Sequence, residues 1–392
     1  MKKKSRILII IIATVFIIAG TITGLIIRKR ILDRTVNIAF CGLSEEYVNL
    51  IKERIPELEK VILKYDILDS TNINLGVVSD KYDMLFTWKG EITDTLEGSV
   101  EPVPNKILET IPISLRNKSC FPLLLNHYEV DIYKPVALKA GVDSIEDFSD
   151  YEEFMNKAKN YVFSPFFCKG GDDRTLLAFI GAIVESKSGV AGYKKLIEKM
   201  RASESLDDFI DEELAVVSSE AFTLRSVLDS LKKMPEDGLT HPQWFKANGT
   251  DVSVFAGDKQ LATLFMSLSD HREMPFSVVS EYTTMSFPKA SQDVDHGIIA
   301  PAICTVLISD NVNCKTYLKT LADVDVQSYM SMKTMMGPVH YRAESYDIQA
   351  DDVRFWAASC AGGALPDLSL AVYQRKPELQ AAVANEIRNY LK

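Results

Sequence analysis

The fold is decided by the stretch Tyr82-Asp83-Met84-Leu85-Phe86-Thr87-Trp88, a mostly apolar run that predicts a buried strand. An earlier run, Thr35 to Cys41, is rich in β-branched and aromatic residues and predicts another strand. Between the two, Ser44 can cap a helix, and Val61 to Leu68 is again extended in character. This β-α-β alternation predicts a parallel sheet covered by helices on both faces.

A second unit with the same alternation follows. Phe121–Leu125 is an apolar strand, and the polar residues 126–128 after it predict a crossing between two lobes. A further strand, Tyr161–Phe167, lies between predicted helices at Ile145–Asn160 and Arg174–Ser186. The repetition indicates two α/β lobes, in agreement with a length of 392 residues, since a domain usually has about 100–200.

Two more crossings are expected further along the chain. The polar stretch Lys289–Asp295 predicts the second, and the Met-rich stretch Ser331–Gly337 predicts the third. We therefore assign residues 35–128 and 296–330 to lobe 1, and residues 129–295 and 331–392 to lobe 2.

Residues 1–34 form a predicted membrane anchor. Ile7 to Ile27 is an uncharged apolar run of 21 residues, and about 20 residues are needed to cross a bilayer. A cleavable secretory peptide is the alternative, but its apolar region is normally about 7–15 residues and ends in small residues. The run therefore predicts a transmembrane helix. Basic residues flank it on both sides, so charge alone leaves its orientation open.

Composition excludes some classes of function. A net charge of -10 argues against a nucleic-acid partner, which requires clustered lysine and arginine. The motifs G-x-S-x-G, H-E-x-x-H and G-x-x-x-x-G-K-[ST] are absent, so we predict no enzyme activity and no cofactor. The six cysteines do not have zinc-site spacing, and no metal site is predicted. A Cys304–Cys314 disulfide is conceivable in an oxidising compartment.

Several segments carry a family resemblance through their order along the chain. They are Tyr82–Gly90, Pro122–Leu125, Gly141–Phe148, Phe255–Ala262 and Phe287-Pro288. Taken in this order, they resemble the family 1 extracellular solute-binding proteins of ABC importers, which include the maltose- and oligosaccharide-binding proteins. The resemblance covers nearly the whole chain after the anchor. The chain departs from the family in lacking a lipobox cysteine, because its first cysteine, Cys41, lies within a predicted strand.

The resemblance implies an α/β, two-lobed periplasmic-binding-protein-like fold of type II with about three crossings. It implies a small-molecule ligand between the lobes, which we expect to be a carbohydrate, and ABC permease subunits as partners. It also places the body on the extracytoplasmic side, held by the N-terminal helix. Two alternatives remain open: a membrane-tethered sensing module without a transport role, and a membrane-anchored enzyme of unrecognised type.

Candidate ligand residues follow from what a sugar requires. Its site needs aromatic platforms for C–H faces and planar polar groups for hydroxyls, and such sites lie beyond the carboxyl ends of strands. The predicted ligand-binding residues are Trp88, Glu91, Asn126, His127, Phe166, Phe167, Gly171, Asp172, Asp173, Trp244 and Trp356. Each also has a structural interpretation: the tryptophans can pack in a core, the crossing histidine can bond within the hinge, and one aspartate can cap a helix.

Overall fold

The structure is a computed structural model that describes residues 34–59, 61–290 and 293–392. The predicted membrane helix Ile7–Ile27 lies outside the described residues. The helices are α1 (Glu45–Arg54), α2 (Leu75–Lys81), α3 (Glu91–Leu96), α4 (Asn105–Leu108), α5 (Lys134–Ala140), α6 (Phe148–Ala158), α7 (Asp173–Arg201), α8 (Leu224–Lys233), α9 (Gly249–Gly257), α10 (Leu268–Glu273), α11 (Phe276–Val279), α12 (Val312–Leu321), α13 (Val324–Thr334), α14 (Ile348–Ser359), α15 (Leu368–Val372) and α16 (Pro377–Leu391). The strands are β1 (Thr35–Cys41), β2 (Ile62–Leu68), β3 (Met84–Trp88), β4 (Phe121–Leu125), β5 (Tyr128–Tyr133), β6 (Ser164–Cys168), β7 (Glu213–Val217), β8 (Glu220–Thr223), β9 (Leu261–Ser267), β10 (Tyr282–Met285), β11 (Gly297–Ile299), β12 (Ala302–Leu307), β13 (Gly337–Pro338) and β14 (Gly363–Leu365).

Lobe 1 is built on a six-stranded sheet of order β13-β4-β12-β3-β1-β2. Strand β1 is parallel to both β2 and β3, as the β-α-β alternation predicted. Strand β12 runs antiparallel between β3 and β4, so the sheet is mixed and not wholly parallel. The difference arises because β12 enters from the other lobe and cannot be read from the local pattern. The carboxyl ends of β1, β3 and β4 share one edge.

Lobe 2 contains a four-stranded sheet of order β10-β5-β9-β6, in which β6 and β9 are parallel. The long helix α7 packs in this lobe and changes direction at Gly189, whose φ of 67° lies in the left-handed region that glycine tolerates. By length and composition α7 is also able to span a membrane. Its most apolar window is 83% buried within the fold, so α7 is a core helix.

The third crossing lies later than the sequence predicted. Strand β13 pairs with β4 in the first sheet, and Val353 and Ala357 of α14 belong to the lobe 1 core. The Met-rich stretch is apolar interior, since Met330 and Met336 are buried in that core. Residues 331–360 were therefore wrongly placed in lobe 2. The prediction was wrong because methionine side chains are flexible and fill gaps in a core, so a Met-rich stretch does not by itself indicate a hinge.

A short parallel pair, β11 and β14, connects the lobes. Residues along it alternate between the two hydrophobic cores: Ile298 and Ala364 pack in the lobe 1 core, whereas Ile299 and Leu365 pack in the lobe 2 core. The connection is therefore held by apolar packing from both sides.

All six cysteines lie in the described part of the chain and are free thiols. Five of them are buried, as expected for small apolar side chains. The conceivable bridge between Cys304 and Cys314 is not formed in the structure.

Candidate ligand site between the lobes

The two lobes contact each other near the edges where their parallel strands end. In lobe 1 this edge holds Trp88, the last residue of β3, and Asn126, the residue directly after β4. In lobe 2 it holds Lys169, directly after β6, and the residues that follow β9. Ligands of open α/β sheets bind beyond such carboxyl ends, so this interface is the candidate site.

Trp88 meets an arginine of the opposite lobe. The guanidinium of Arg174 lies 5.5 Å from the Trp88 ring centroid, and Tyr47 contacts the ring edge-on at 6.0 Å. Arg174 Nε donates to Asp367 Oδ2 at 2.7 Å, and Asp367 is fully buried. Arg174 Nη2 is buried and has no hydrogen-bond partner among the described residues. The interface therefore combines an aromatic surface with an unused planar donor.

Glu91 is engaged in a contact between the lobes. Its Oε1 accepts hydrogen bonds from Arg375 Nη2 at 2.7 Å and Nε at 2.9 Å. The neighbouring Gln374 accepts from the Ile92 amide at 3.0 Å and donates to the Trp88 carbonyl at 3.1 Å. The carboxylate predicted to bind a ligand therefore joins lobe 1 to lobe 2.

The two predicted crossing residues are buried and bonded within the hinge. Asn126 Oδ1 accepts from the Ser269 amide at 3.2 Å and from its hydroxyl at 3.1 Å. His127 Nε2 lies 2.7 Å from Glu129 Oε2, and the His127 ring contacts Trp356 edge-on at 5.0 Å. These contacts place Asn126, His127 and Trp356 together at the first crossing.

Phe166, Phe167 and Trp244 lie in the lobe 2 core and do not reach the cleft. Phe166 stacks on Phe179 with ring centroids 4.5 Å apart, and Trp244 contacts Phe166 edge-on at 5.9 Å. Phe167 packs against Phe255. Strand β6 is covered on both faces, so its aromatic residues are buried on either side. Their prediction as ligand contacts is therefore corrected to core packing.

The glycine-rich turn before α7 is occupied by its own contacts. The Gly171 amide donates to the Ala247 carbonyl at 2.8 Å. Asp172 caps α7 by accepting from the Thr175 amide at 2.8 Å, which is the structural role foreseen for one aspartate. Asp173 was expected to remain available, but it forms an ion pair with Arg388 at 2.7 Å.

A cavity of about 530 Å³ lies at the carboxyl ends of β6 and β9. Its lining residues are Lys169, Asn248, Gly249, Thr250, Val252, Ser253, Phe265, Met266, Asp270, Glu273 and Met274. Lys169 Nζ donates to Asp270 Oδ1 at 2.6 Å. Burial by itself would lower the pKa of Lys169, but the hydrogen bond to Asp270 and the negative charges of Asp270, Asp172 and Glu273 together outweigh burial and raise that pKa. Small-molecule sites commonly have volumes of about 300–1,000 Å³, and this cavity lies in that range.

Sequence reasoning did not identify most of this cavity. Its residues come from three places, which are the residue after β6, the first half of α9 with the residue before it, and the end of β9 with the residues that follow. Lys169 lies 79 positions before Asn248 and 96 before Phe265 in the chain. The available signal was the end of the apolar run Leu261–Ser267, since polar residues after a buried strand often line a site.

Glu185 anchors the second crossing from inside α7. Its Oε1 accepts from the Gly297 amide at 2.7 Å, and its Oε2 accepts from Lys289 Nζ at 2.5 Å. Burial by itself would raise the pKa of this carboxyl. Interactions with His296, Lys289 and the Gly297 amide outweigh burial and hold the pKa below its ordinary value.

This lowered pKa predicts a pH-dependent contribution to stability. A carboxyl whose pKa is lower in the folded state stabilises the fold above its unfolded pKa, and the contribution is lost as pH falls through the folded pKa. We expect Glu185→Gln to reduce the fall in unfolding free energy between pH 7 and pH 3. The reduction is about 1.4 kcal/mol for each unit by which folding lowers the pKa. Urea unfolding at both pH values measures it, with the exposed Glu204→Gln as control; equal falls in all three proteins would contradict the prediction.

Comparisons with known proteins support the architecture. No family model matches the chain, and no curated protein matches it. Among solved structures, the bacterial solute receptor AcbH superposes with a TM-score of 0.67 at 12% identity, covering 91% of this chain and 98% of that one. The binding protein MsmE of Bacillus subtilis, in an open conformation, gives 0.63 at 12% identity, with 91% and 95% covered. Maltose-bound MalE3 of T. maritima gives 0.54 at 10% identity, with 91% and 99% covered.

At identities this low, the superpositions show the fold alone. They confirm the predicted two-lobed α/β class. The coverage extends over nearly the full length of each of these structures, so the likeness is not confined to one lobe. The chain has the fold of the extracellular solute-binding proteins.

Proposed function

We propose that this protein is the solute-binding component of an ABC-type importer and captures a carbohydrate between its lobes. The observation that carries the proposal is the contact of Trp88 with Arg174 across the interface between the lobes, where an aromatic ring faces a guanidinium whose buried Nη2 has no hydrogen-bond partner in the described part of the chain. A sugar offers an apolar C–H face for the ring and hydroxyls for the guanidinium. The nearby cavity supplies further polar groups.

The ligand class is supported by the proteins that share the fold. AcbH is described as having an exclusive substrate preference for β-D-galactopyranose, and MalE3 was solved with maltose bound. Because this chain has the same architecture, we propose a sugar as its ligand too. The polar side chains of Lys169, Asn248 and Asp270 are suited to hydroxyl groups, because amides, ammonium groups and carboxylates all form hydrogen bonds with them.

Capture proceeds by closure and breaks no covalent bond. The Glu91–Arg375 ion pair and the Gln374 hydrogen bonds join the lobes, and in this proposal they belong to the closed form. A ligand that touches both lobes binds the closed form more tightly, and it therefore shifts the population toward that form. Permease subunits would recognise the closed protein. In this proposal the helix Ile7–Ile27 holds the body on the extracytoplasmic side of the membrane.

A thermal-shift screen tests the ligand class. The purified protein is heated with monosaccharides, oligosaccharides, polyols, amino acids and small anions, because a ligand that binds only the folded state raises the melting temperature. We expect a saturable increase with at least one sugar and no turnover of that sugar. Failure of every sugar on folded protein would contradict a carbohydrate-import role and favour the sensing module.

Substituting Trp88 tests the proposed platform. We expect Trp88→Ala to weaken binding of the sugar found in the screen by about 0.5–1.5 kcal/mol, the usual contribution of an aromatic stacking contact. Titration calorimetry measures the affinity. Tyr341→Ala removes an exposed aromatic residue of the same lobe and serves as the matched control. Equal affinities for the two variants would remove Trp88 from the proposed site.

A further inference from the structure

Three side chains outside the cleft form a buried cluster of potential metal ligands. Glu129 and Asp131 are alternate residues of β5, so both point to the same face of the sheet. His271 of α10 covers them. The three residues are 0%, 1% and 4% exposed. His271 Nδ1 lies 2.9 Å from Glu129 Oε1 and 3.3 Å from Asp131 Oδ1.

The two carboxylates are incompletely satisfied by protein groups. Asp131 Oδ1, Asp131 Oδ2 and Glu129 Oε1 are buried, and in the described part of the chain none of them has a well-aligned hydrogen-bond partner. The ion-pair partners that Glu129 and Asp131 have within this part of the chain are the imidazoles of His127 and His271. Buried carboxylates are costly unless they are paired, hydrogen-bonded or bound to a metal. The cluster therefore has free acceptor capacity inside the protein.

We propose that Glu129, Asp131 and His271 bind a divalent transition-metal ion of the zinc type. Zinc is bound by histidine nitrogen and carboxylate oxygen at about 2.0–2.2 Å in tetrahedral geometry, which places ligand atoms roughly 3.3 Å apart. The observed separations from His271 Nδ1 are close to this value, and all three ligand atoms lie within 4.8 Å of one another. The ion also neutralises both carboxylates.

The ligand set favours zinc over the common hard cations. Calcium takes six to eight oxygen ligands, and magnesium prefers octahedral oxygen coordination with several waters. A site with one imidazole and two carboxylates in a buried position provides neither arrangement. Three protein ligands leave one tetrahedral position for a water molecule.

Neighbouring side chains are placed to orient the ligands. His127 Nε2 lies 2.7 Å from Glu129 Oε2, the carboxylate oxygen on the far side from His271. The Gln349 amide nitrogen lies 2.9 Å from His271 Nε2, and the Gln349 amide oxygen accepts from Arg272 Nη1 at 2.9 Å. Such outer contacts hold the side chains of metal ligands in place. Because Gln349 belongs to α14, packed on lobe 1, the site is supported from both lobes.

Zinc binding by the full-length chain tests this site. Protein stripped with a chelator is titrated with Zn²⁺ in a calorimeter, and Co²⁺ is added separately to detect the visible absorption of a tetrahedral site. We expect one Zn²⁺ per chain, intense Co²⁺ bands and a higher melting temperature with Zn²⁺. Asp131→Asn should weaken Zn²⁺ binding at least tenfold, whereas Asp143→Asn, at an exposed loop aspartate, should leave it unchanged.

The result is readable even if a variant fails to fold. Absence of stoichiometric Zn²⁺ binding by the unmodified chain overturns the proposal without any variant. Equal Zn²⁺ affinity in the unmodified chain and in folded Asp131→Asn or Glu129→Gln also overturns it. Sugar affinity is measured in a separate experiment with the Trp88→Ala variant. A negative result for Zn²⁺ binding therefore contradicts the metal site without contradicting the proposed transport function.

Discussion

Replacing Trp244 with alanine is expected to lower the free energy of unfolding by about 3–5 kcal/mol, the usual cost of removing a large aromatic side chain from a core. Trp244 is 1% exposed. It packs edge-on against Phe166 at 5.9 Å and Phe179 at 5.7 Å. The backbone of Gly170 also approaches it closely, since a Cβ on that glycine would lie 2.8 Å from the Trp244 carbonyl oxygen. The surrounding residues cannot collapse fully into the space, so the cavity persists.

Urea unfolding of the variant and the unmodified protein measures this loss. Phe276→Ala is the matched control, because Phe276 is 82% exposed and its removal should change the unfolding free energy by less than about 0.5 kcal/mol. Sugar affinity of folded Trp244→Ala should remain close to that of the unmodified protein. A stable variant that no longer binds sugar would instead restore Trp244 to the ligand site.

Local patterns predicted the architecture where the interactions are local. The run Thr35–Cys41 forms a strand, and the run Tyr82–Trp88 contains the strand Met84–Trp88, because residues close in sequence determine apolar periodicity. The direction of β12 and the position of the third crossing depend on which sheet a segment joins. Strands β12 and β13 both pair with β4, which lies about 200 residues earlier, and the local sequence does not show which strands will pair.

The candidate site was predicted in part for the same reason. Trp88 was placed correctly at the end of a strand, because the local apolar run shows where β3 ends. Phe166 and Phe167 were misassigned, because an aromatic strand covered on both faces has the same sequence as an aromatic platform. The pairs Glu91–Arg375 and Arg174–Asp367 join residues 284 and 193 positions apart, and composition contains no information about such partners.

The sequence of β5 contains a pattern that indicates the proposed metal cluster, although no metal site was predicted from it. Glu129 and Asp131 alternate along β5, which places two acidic side chains on one face of a strand inside the protein, and His127 stands directly before that strand. Strands buried on both faces are usually apolar throughout, so this alternation is itself unusual. The remaining ligand, His271, lies 140 residues after Asp131. Local metal motifs therefore do not include it.

The contact between the lobes depends on the absence of a side chain at Gly90. A Cβ there would lie 2.2 Å from the Leu370 carbonyl oxygen and 2.7 Å from the Leu370 carbonyl carbon. Both are backbone atoms of lobe 2 and cannot rotate away, so the lobes would have to separate. Separation would also lengthen the Gln374 contacts with Ile92 and Trp88. Because Gly90 lies at the interface between the lobes, a side chain there should leave the sheet and the core of each lobe intact.

Gly90→Ala is therefore expected to reduce sugar affinity at least tenfold, about 1.4 kcal/mol, with little change in the cores. Apparent affinity falls in proportion to the population of the binding-competent closed form. Calorimetry with the sugar from the screen measures the affinity, and small-angle X-ray scattering should give a larger radius of gyration for the variant. Gly257→Ala is the matched control, since a Cβ at Gly257 meets open space. Unchanged affinity and radius in Gly90→Ala would mean that closure on this contact is not required for binding.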